Sequence, residues 1–175
     1  MTEFHPHIRP IDHIDHQGRS TVDEPGRTTR EAQAMSTTWD TPAAVLIEHV
    51  ADGWEGLWSL LYAASHATVK LSLSVPLTTS ADLTFAAMDL REARDELEWL
   101  HEHLTTGAVA VDLGPLRPTD LHVDARQILG RLTDAILERT YALIDAGTTP
   151  AETACLRRVA GKVYTARATI LGPVP

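Results

Sequence analysis

The feature that most constrains this chain is a set of apolar stripes that repeat in alternating steps of three and four residues. Such spacing places side chains on one face of an α-helix, which has about 3.6 residues per turn. Four stretches carry the pattern, which therefore predicts an all-α fold. It is unbroken in the first stretch, whose stripe comprises Ile47, Val50, Trp54, Leu57, Leu61, Ala64, Thr68, Leu71 and Val75.

The first predicted helix begins after Thr41, which can cap it, and is ended by Pro76. Gly53 lies inside this stretch and allows a kink or even a break, because glycine is a poor helix former. The second helix is predicted over residues 81–105. Gly107 follows it and supplies a residue that adopts left-handed backbone angles at low cost.

The third predicted helix begins at residue 119 or 120 and ends before Gly147, after a linker over 108–118 that contains two prolines. The fourth begins with the sequence Thr149-Pro150-Ala151-Glu152. In this capping box the threonine and the glutamate each bond the other's backbone N–H. Because the loop before the fourth helix is short, we expect the last two helices to be antiparallel.

Residues 1–40 lack helical periodicity. They contain prolines and glycines among scattered charges, and a segment of this kind cannot bury enough apolar surface to offset the entropy of ordering. We therefore predict two regions, a disordered N-terminal arm over residues 1–40 and an antiparallel four-helix bundle over residues 41–175. Met35 offers an alternative start, since it leads directly into the first helix.

The charge of the chain disfavours nucleic-acid binding. The formal net charge is −9, whereas nonspecific nucleic-acid binding depends on neutralising phosphates with Lys and Arg. Residues 81–105 are acidic and the last segment is basic, so we expect these two helices to attract each other. The bias toward Arg and Ala, with no Asn and with Lys only at positions 70 and 162, is typical of high-GC bacterial genomes such as those of actinobacteria.

A cytoplasmic protein is expected. The N-terminus has no apolar run of the kind that a signal peptide needs, and the single cysteine, Cys155, fits a reducing compartment. The most apolar stretch, residues 57–77, is interrupted by serines, His66 and Lys70. A membrane span needs roughly 20 mostly apolar residues. No association with a membrane is therefore expected.

Metal-ligand types occur, but not at a convincing spacing. Glu98 and His101 match the Glu-x-x-His pair of di-iron bundles, which need this motif on two helices, and it occurs once. Glu98 falls opposite the apolar stripe, where we expect a solvated side chain. The other candidates are the pair His49 and Asp52, isolated histidines on the helices, and histidines of the arm: His66, His103, His122, and His5, His7, His13 and His16. We expect neither a metal site nor a cofactor.

No pattern identifies a catalytic residue. Cys155 adjoins the apolar face of the fourth helix and is expected to pack as a small hydrophobe. No serine lies in a Gly-x-Ser-x-Gly context, and no glycine-rich phosphate loop occurs. The sequence therefore favours a protein that is not an enzyme.

Trp54, Trp58 and Tyr62 follow one another at intervals of four residues and form an aromatic ridge on the first predicted helix. The ridge has two interpretations, a wide core face or a surface that binds a partner or a second copy of the chain. We expect a non-enzymatic interaction or scaffold protein that acts through protein–protein contacts or self-association. The alternative is a helical enzyme, or a protein that binds a small ligand or metal between its helices.

Overall fold

A computed structural model describes residues 39–117 and 122–172, and the fold over these ranges is all-α. The predicted arm lies outside the described residues except for its last two positions. Six helices are found in the described ranges, without a strand. They are α1 (Asp40–His49), α2 (Trp54–Ser72), α3 (Leu77–Leu100), α4 (Leu104–Gly107), α5 (His122–Asp145) and α6 (Pro150–Leu171).

The core lies among the four long helices. α2 packs against α3 and α5, and α6 packs against the same two helices. The predicted apolar stripe of each long helix faces the core. This confirms the prediction of helices from the periodicity. Among the largest fully buried side chains are Leu57, Leu61, Leu71, Leu90, Leu97, Leu129, Leu132, Ile136 and Leu156. No helix of the described residues has the length and apolar character needed to cross a membrane.

The first predicted helix forms as two helices, because the chain breaks between α1 and α2 at the place where Gly53 allows it. Val50 has extended backbone angles, and Gly53 has a φ of +113°, in the region that favours glycine. Gly56 is needed for a second reason, since a Cβ there would lie 1.7 Å from the Ala51 carbonyl oxygen. The apolar repeat continues across the break because α1 still packs on the core, against α5.

Arg139 of α5 stabilises the backbone at this break. Its Nη2 donates to the Ile47 carbonyl oxygen at 2.9 Å, and its Nη1 donates to those of Val50 and Ala51 at 3.2 and 2.8 Å. Nη1 also donates to Asp52 Oδ1 at 3.2 Å. The last carbonyl groups of a helix have no hydrogen-bond donor within that helix. Here the Arg139 guanidinium is the donor for them.

The folded part begins before residue 41. Trp39, assigned to the arm by its sequence, is fully buried, and its Nε1 donates to the Gly114 carbonyl oxygen at 3.1 Å. Lys70 donates to the same oxygen at 2.9 Å and also pairs with Asp112. Thr41 lies inside α1 rather than capping it.

Among the other helix ends, those of α3 differ from their predictions and the start of α6 agrees with its prediction. α3 begins at Leu77 and ends at Leu100, so the predicted second helix is too long at its C-terminal end, and the short α4 follows separately. The capping box of α6 is confirmed. The Thr149 N–H donates to the Glu152 carboxylate at 2.7 Å, and the Glu152 N–H donates to Thr149 Oγ1 at 3.3 Å.

Candidate interaction cleft between α2 and α3

The aromatic ridge lies along the side of α2 that faces α3. Trp58 is buried, while Trp54 and Tyr62 are half-buried. The Tyr62 ring stacks on Trp58, with centroids 5.2 Å apart, and on His66, with centroids 4.3 Å apart. The Trp54 ring lies 4.4 Å from that of His101. The ridge is thus extended by two histidines and is largely covered by a helix of the same chain.

Arg94 of α3 covers this stack. Its guanidinium lies 5.7 Å from the centroid of Trp58 and 5.9 Å from that of Tyr62, within the range of a cation–π interaction. Nη2 donates to Asp95 at 2.8 Å, and Nε lies 3.3 Å from Glu98 Oε1. The Arg94 guanidinium therefore interacts with two carboxylates and two aromatic rings.

Glu98 and His101, the predicted Glu-x-x-His pair, each contact a tryptophan of α2. Trp58 Nε1 donates to Glu98 Oε1 at 2.7 Å, so the expectation that Glu98 is merely solvated is wrong. The reason is that α2 approaches the flank of α3 on which Glu98 lies. His101 lies between Trp54 and Glu152, whose Oε1 is 3.7 Å from His101 Nε2. The two residues of the motif thus have different partners.

The other candidate ligands do not converge. His49 hydrogen-bonds the Val45 carbonyl oxygen, and Asp52 pairs with Arg139. His103 is exposed between α3 and α4, His122 is exposed at the start of α5, and the histidines of the arm lie outside the described residues. Within 39–117 and 122–172, no three His, Cys, Asp or Glu side chains come together in a way that could hold a metal ion.

Cys155 is buried in the core, as expected. Burial raises the pKa of its thiol, and its Sγ donates to the Glu96 carbonyl oxygen at 3.4 Å. Because the thiolate is the reactive form of cysteine, a raised pKa makes this side chain a poor nucleophile. The Cys155 side chain therefore acts as part of the packed core.

Two basic residues of α6 pair with acidic residues of α3. Arg158 donates to Glu96 of α3 at 2.8 Å, and Lys162 pairs with Glu92, which also lies on α3. Both contacts confirm the expected attraction between the acidic and the basic helix. Arg158 and Lys162 are thus engaged at the contact between α3 and α6.

A cleft of about 500 Å³ lies between α2 and α3, beside the aromatic stack. Both cationic and apolar side chains line it. Its walls are formed by Ser65, His66, Val69 and Lys70 from α2, and by Thr84, Ala87, Met88, Arg91 and Arg94 from α3. His66 and Arg94 contact the aromatic rings and also line the cleft. The aromatic ridge therefore adjoins one wall of the cleft.

Helical spacing places two exposed leucines, at the turn between the helices, in line with this cleft. Leu73 is 81% exposed and Leu77 is 86% exposed. Leu77 lies seven residues before Thr84, and Leu73 four residues after Val69, so both leucines continue the helical faces that line the cleft. The term "α2–α3 cleft" below includes them. Sequence reasoning missed this site; the signal was the apolar residues that fall outside the stripes, at positions 69, 73, 77 and 88.

The charges of the cleft differ from those of the chain as a whole. Lys70 and Arg91 each have one carboxylate neighbour, Asp112 and Asp95, and the pair with Asp95 is 4.0 Å apart and largely exposed. The bond from Lys70 lowers the pKa of the Asp112 carboxyl group. The cleft thus places two cations, each already beside one carboxylate, next to apolar surface in a chain of net charge −9. Comparison with models of known protein families, with curated proteins and with solved structures finds no match.

Proposed function

We propose that this chain is a non-enzymatic helical protein that binds another protein through the α2–α3 cleft. The long helices α2, α3, α5 and α6 would form an antiparallel four-helix bundle, with α1 appended to it, and the protein would act in the cytoplasm. The observation that carries the proposal is the group of exposed apolar side chains along the α2–α3 cleft, which Lys70 and Arg91 also line.

The apolar part of the cleft is the main support. Leu73 and Leu77 are almost fully exposed, and about half of the surface of Val69 and of Met88 is accessible. Single exposed apolar residues are normal on protein surfaces. Several of them clustered at one place are typical of sites that bind a partner, because the contact removes their surface from water.

The cations indicate what kind of partner fits. Lys70 and Arg91 line the cleft together with apolar side chains, so the best complement is a segment that offers both apolar side chains and carboxylates. A groove between two helices suits an amphipathic helix, which lays its apolar face into the groove. We therefore propose an acidic amphipathic helix of another protein as the occupant. Its charges would contribute mainly to the rate of association and to specificity.

The aromatic ridge would have a supporting role in this function. Trp58 and Tyr62 lie between α2 and α3, and Arg94 bridges from these rings to the cleft. The ridge would thus keep the two helices at a fixed spacing, and a preformed site binds at lower entropic cost. Self-association through the ridge has less support, since Trp58 is buried within the chain.

The test is affinity capture from the native host with three baits, followed by mass spectrometry. The baits are the wild type, a cleft variant with Leu73→Glu and Leu77→Glu, and a control variant with Val123→Glu and Tyr164→Glu. All four positions are exposed and apolar, so thermal melts should show that the three baits fold equally well. We expect a partner that the wild type and the control capture and that the cleft variant loses by about tenfold or more.

Two outcomes would contradict the proposal. A set of captured proteins that is the same for all three baits would show that the cleft is not the binding site. A wild type that sediments as a dimer, and a cleft variant that sediments as a monomer, would identify the occupant as a second copy of the chain.

A further inference from the structure

A second cavity, separate from the α2–α3 cleft, lies between α1, α2 and the segment after α4. Its volume is about 500 Å³, which is within the usual range for small-molecule sites. The walls are mainly aliphatic and include Val45, Leu46, Val50, Val109 and Val111. Val45 and Val109 remain more than half exposed, so the cavity is open to solvent and accessible to a ligand.

Two of the three main polar groups along the cavity already have partners. Ser59 Oγ donates to the Glu55 carbonyl oxygen at 2.8 Å and accepts from the Val109 N–H at 2.9 Å. His49 Nδ1 hydrogen-bonds the Val45 carbonyl oxygen at 3.1 Å and lies 4.0 Å from Glu48. The Glu55 carboxylate has no ion pair and no hydrogen bond from another residue in the part of the chain that the structure describes.

Two glycines define where the Glu55 side chain lies. A Cβ at Gly107 would be 3.1 Å from Glu55 Cγ, and a Cβ at Gly53 would be 3.7 Å from Glu55 Oε2. The carboxylate therefore lies between the break that precedes α2 and the end of α4. Glu55 is half-buried there and lines the cavity.

We propose that this cavity binds a small organic amine, with its ammonium group at Glu55 and its apolar body against the valines. An unpaired, partly desolvated carboxylate attracts a cation more strongly than a fully exposed one does, because less water screens the charge. The aliphatic walls favour a ligand whose remaining atoms are apolar. The same carboxylate disfavours fatty acids and other anionic amphiphiles.

Three probes of equal length separate the contributions of charge and apolar contact. Hexylammonium, 1-hexanol and hexanoate are titrated into the protein at neutral pH and followed by amide NMR shifts at Val45, Val109 and Val111. We expect hexylammonium to bind most tightly and hexanoate most weakly. Glu55→Gln should lower the affinity for hexylammonium by about twofold to fivefold and leave that for 1-hexanol unchanged.

Two further variants show whether the effect belongs to this cavity. Glu48→Gln removes an exposed carboxylate of α1 that does not line the cavity, and it should leave all three affinities unchanged. Val45→Gln makes one wall polar at a half-exposed position and should weaken all three probes. Shifts that avoid the cavity amides, or equal binding of hexylammonium to the wild type and to Glu55→Gln, would overturn the proposal.

The result is independent of the proposed partner site. The cleft variant with Leu73→Glu and Leu77→Glu should bind hexylammonium as the wild type does, because neither position lines this cavity. A failure of the amine to bind would therefore leave the function of the α2–α3 cleft untouched, and the reverse also holds.

Discussion

The indole N–H of Trp58 donates to the Glu98 carboxylate at 2.7 Å, across 40 residues of sequence. The bond joins two features that the sequence presents as unrelated, the aromatic ridge of α2 and the Glu-x-x-His pair of α3. It also orients Glu98 toward Arg94, whose Nε is 3.3 Å away. The alignment of α2 with α3, and thus the shape of the cleft between them, depends on this polar contact as well as on apolar packing.

A double-mutant cycle on Trp58 and Glu98 measures this contact. Trp58→Phe removes the N–H but keeps a ring, and we expect a loss of about 1–2 kcal/mol in the free energy of unfolding. Glu98→Gln should cost less, and the double variant should lose less than the sum of the two, because the partners are coupled. Urea denaturation provides the values.

Trp99 supplies the matched control for this cycle. It lies on α3 next to Glu98 but is 90% exposed, so Trp99→Phe should change the free energy of unfolding by less than about 0.5 kcal/mol. Strictly additive losses for Trp58→Phe and Glu98→Gln would show that their hydrogen bond contributes no coupling energy.

The ridge itself provides a second prediction. Replacing Trp58 and Tyr62 together with serine should lower the free energy of unfolding by about 3–5 kcal/mol, since a large buried aromatic side chain is removed. Thermal melting combined with sedimentation is the measurement. A variant that keeps its melting temperature but changes from dimer to monomer would instead identify the ridge as a contact between chains.

Much of the fold follows from local sequence. The apolar stripes identify the core faces of the long helices, and Thr149 with Glu152 identifies the start of α6 to the residue. Gly53 marks where a break is allowed. Whether the helix does break there depends on Arg139, which lies 89 residues from Val50 in sequence and supplies the partners of the freed carbonyls. Local periodicity carries no information about such a contact.

The candidate sites are less accessible to sequence reasoning. Leu73 and Leu77 flank Pro76, so in the sequence they resemble ordinary residues of a helix-ending turn. Their importance depends on the cleft that the pairing of α2 with α3 forms in line with them. Glu55 likewise gains its position from Gly107, which is distant in sequence. Both sites arise from tertiary packing, which a periodic pattern does not specify.

Two glycine-to-alanine variants should have opposite effects. At Gly56 a Cβ would collide with a backbone oxygen, so Gly56→Ala should lower the free energy of unfolding by about 1–3 kcal/mol. Gly161 lies in α6 with open space around it, and Gly161→Ala should raise that free energy by about 0.5–1 kcal/mol, because alanine favours helix. Equal effects of the two changes in denaturant melts would contradict the close approach at Gly56.

Arg139→Met should release α1 while leaving the rest of the fold intact. Methionine keeps an apolar stem but donates no hydrogen bond to the carbonyls of Ile47, Val50 and Ala51. We expect a loss of about 2 kcal/mol and faster hydrogen exchange in α1 than in α3. Arg131→Met is the control, since Arg131 makes an exposed pair with Asp40 at the other end of α1. Its cost should stay below about 1 kcal/mol, and equal exchange rates in both variants would exclude a special role for Arg139.

The capping box of α6 predicts a pH dependence of stability. Hydrogen bonds with Thr149 lower the pKa of the Glu152 carboxyl group below its ordinary value of 4.5, and the nearby His101 acts in the same direction. The unfolded chain therefore takes up the proton at a higher pH than the folded protein does. The stabilisation is fully present above pH 4.5 and is lost as the pH falls through the lower pKa of the folded state.

Glu152→Gln tests this dependence, because glutamine keeps the shape and hydrogen-bonding capacity of the box but does not titrate. The wild type should exceed the variant in free energy of unfolding at pH 7, and the difference should shrink as urea denaturation is repeated down to about pH 3. Glu138→Gln, at an exposed position of α5, corrects for the loss of one charge from the whole chain. A difference for Glu152→Gln that stays constant over this range would show that the ionised carboxylate contributes nothing specific to the start of α6.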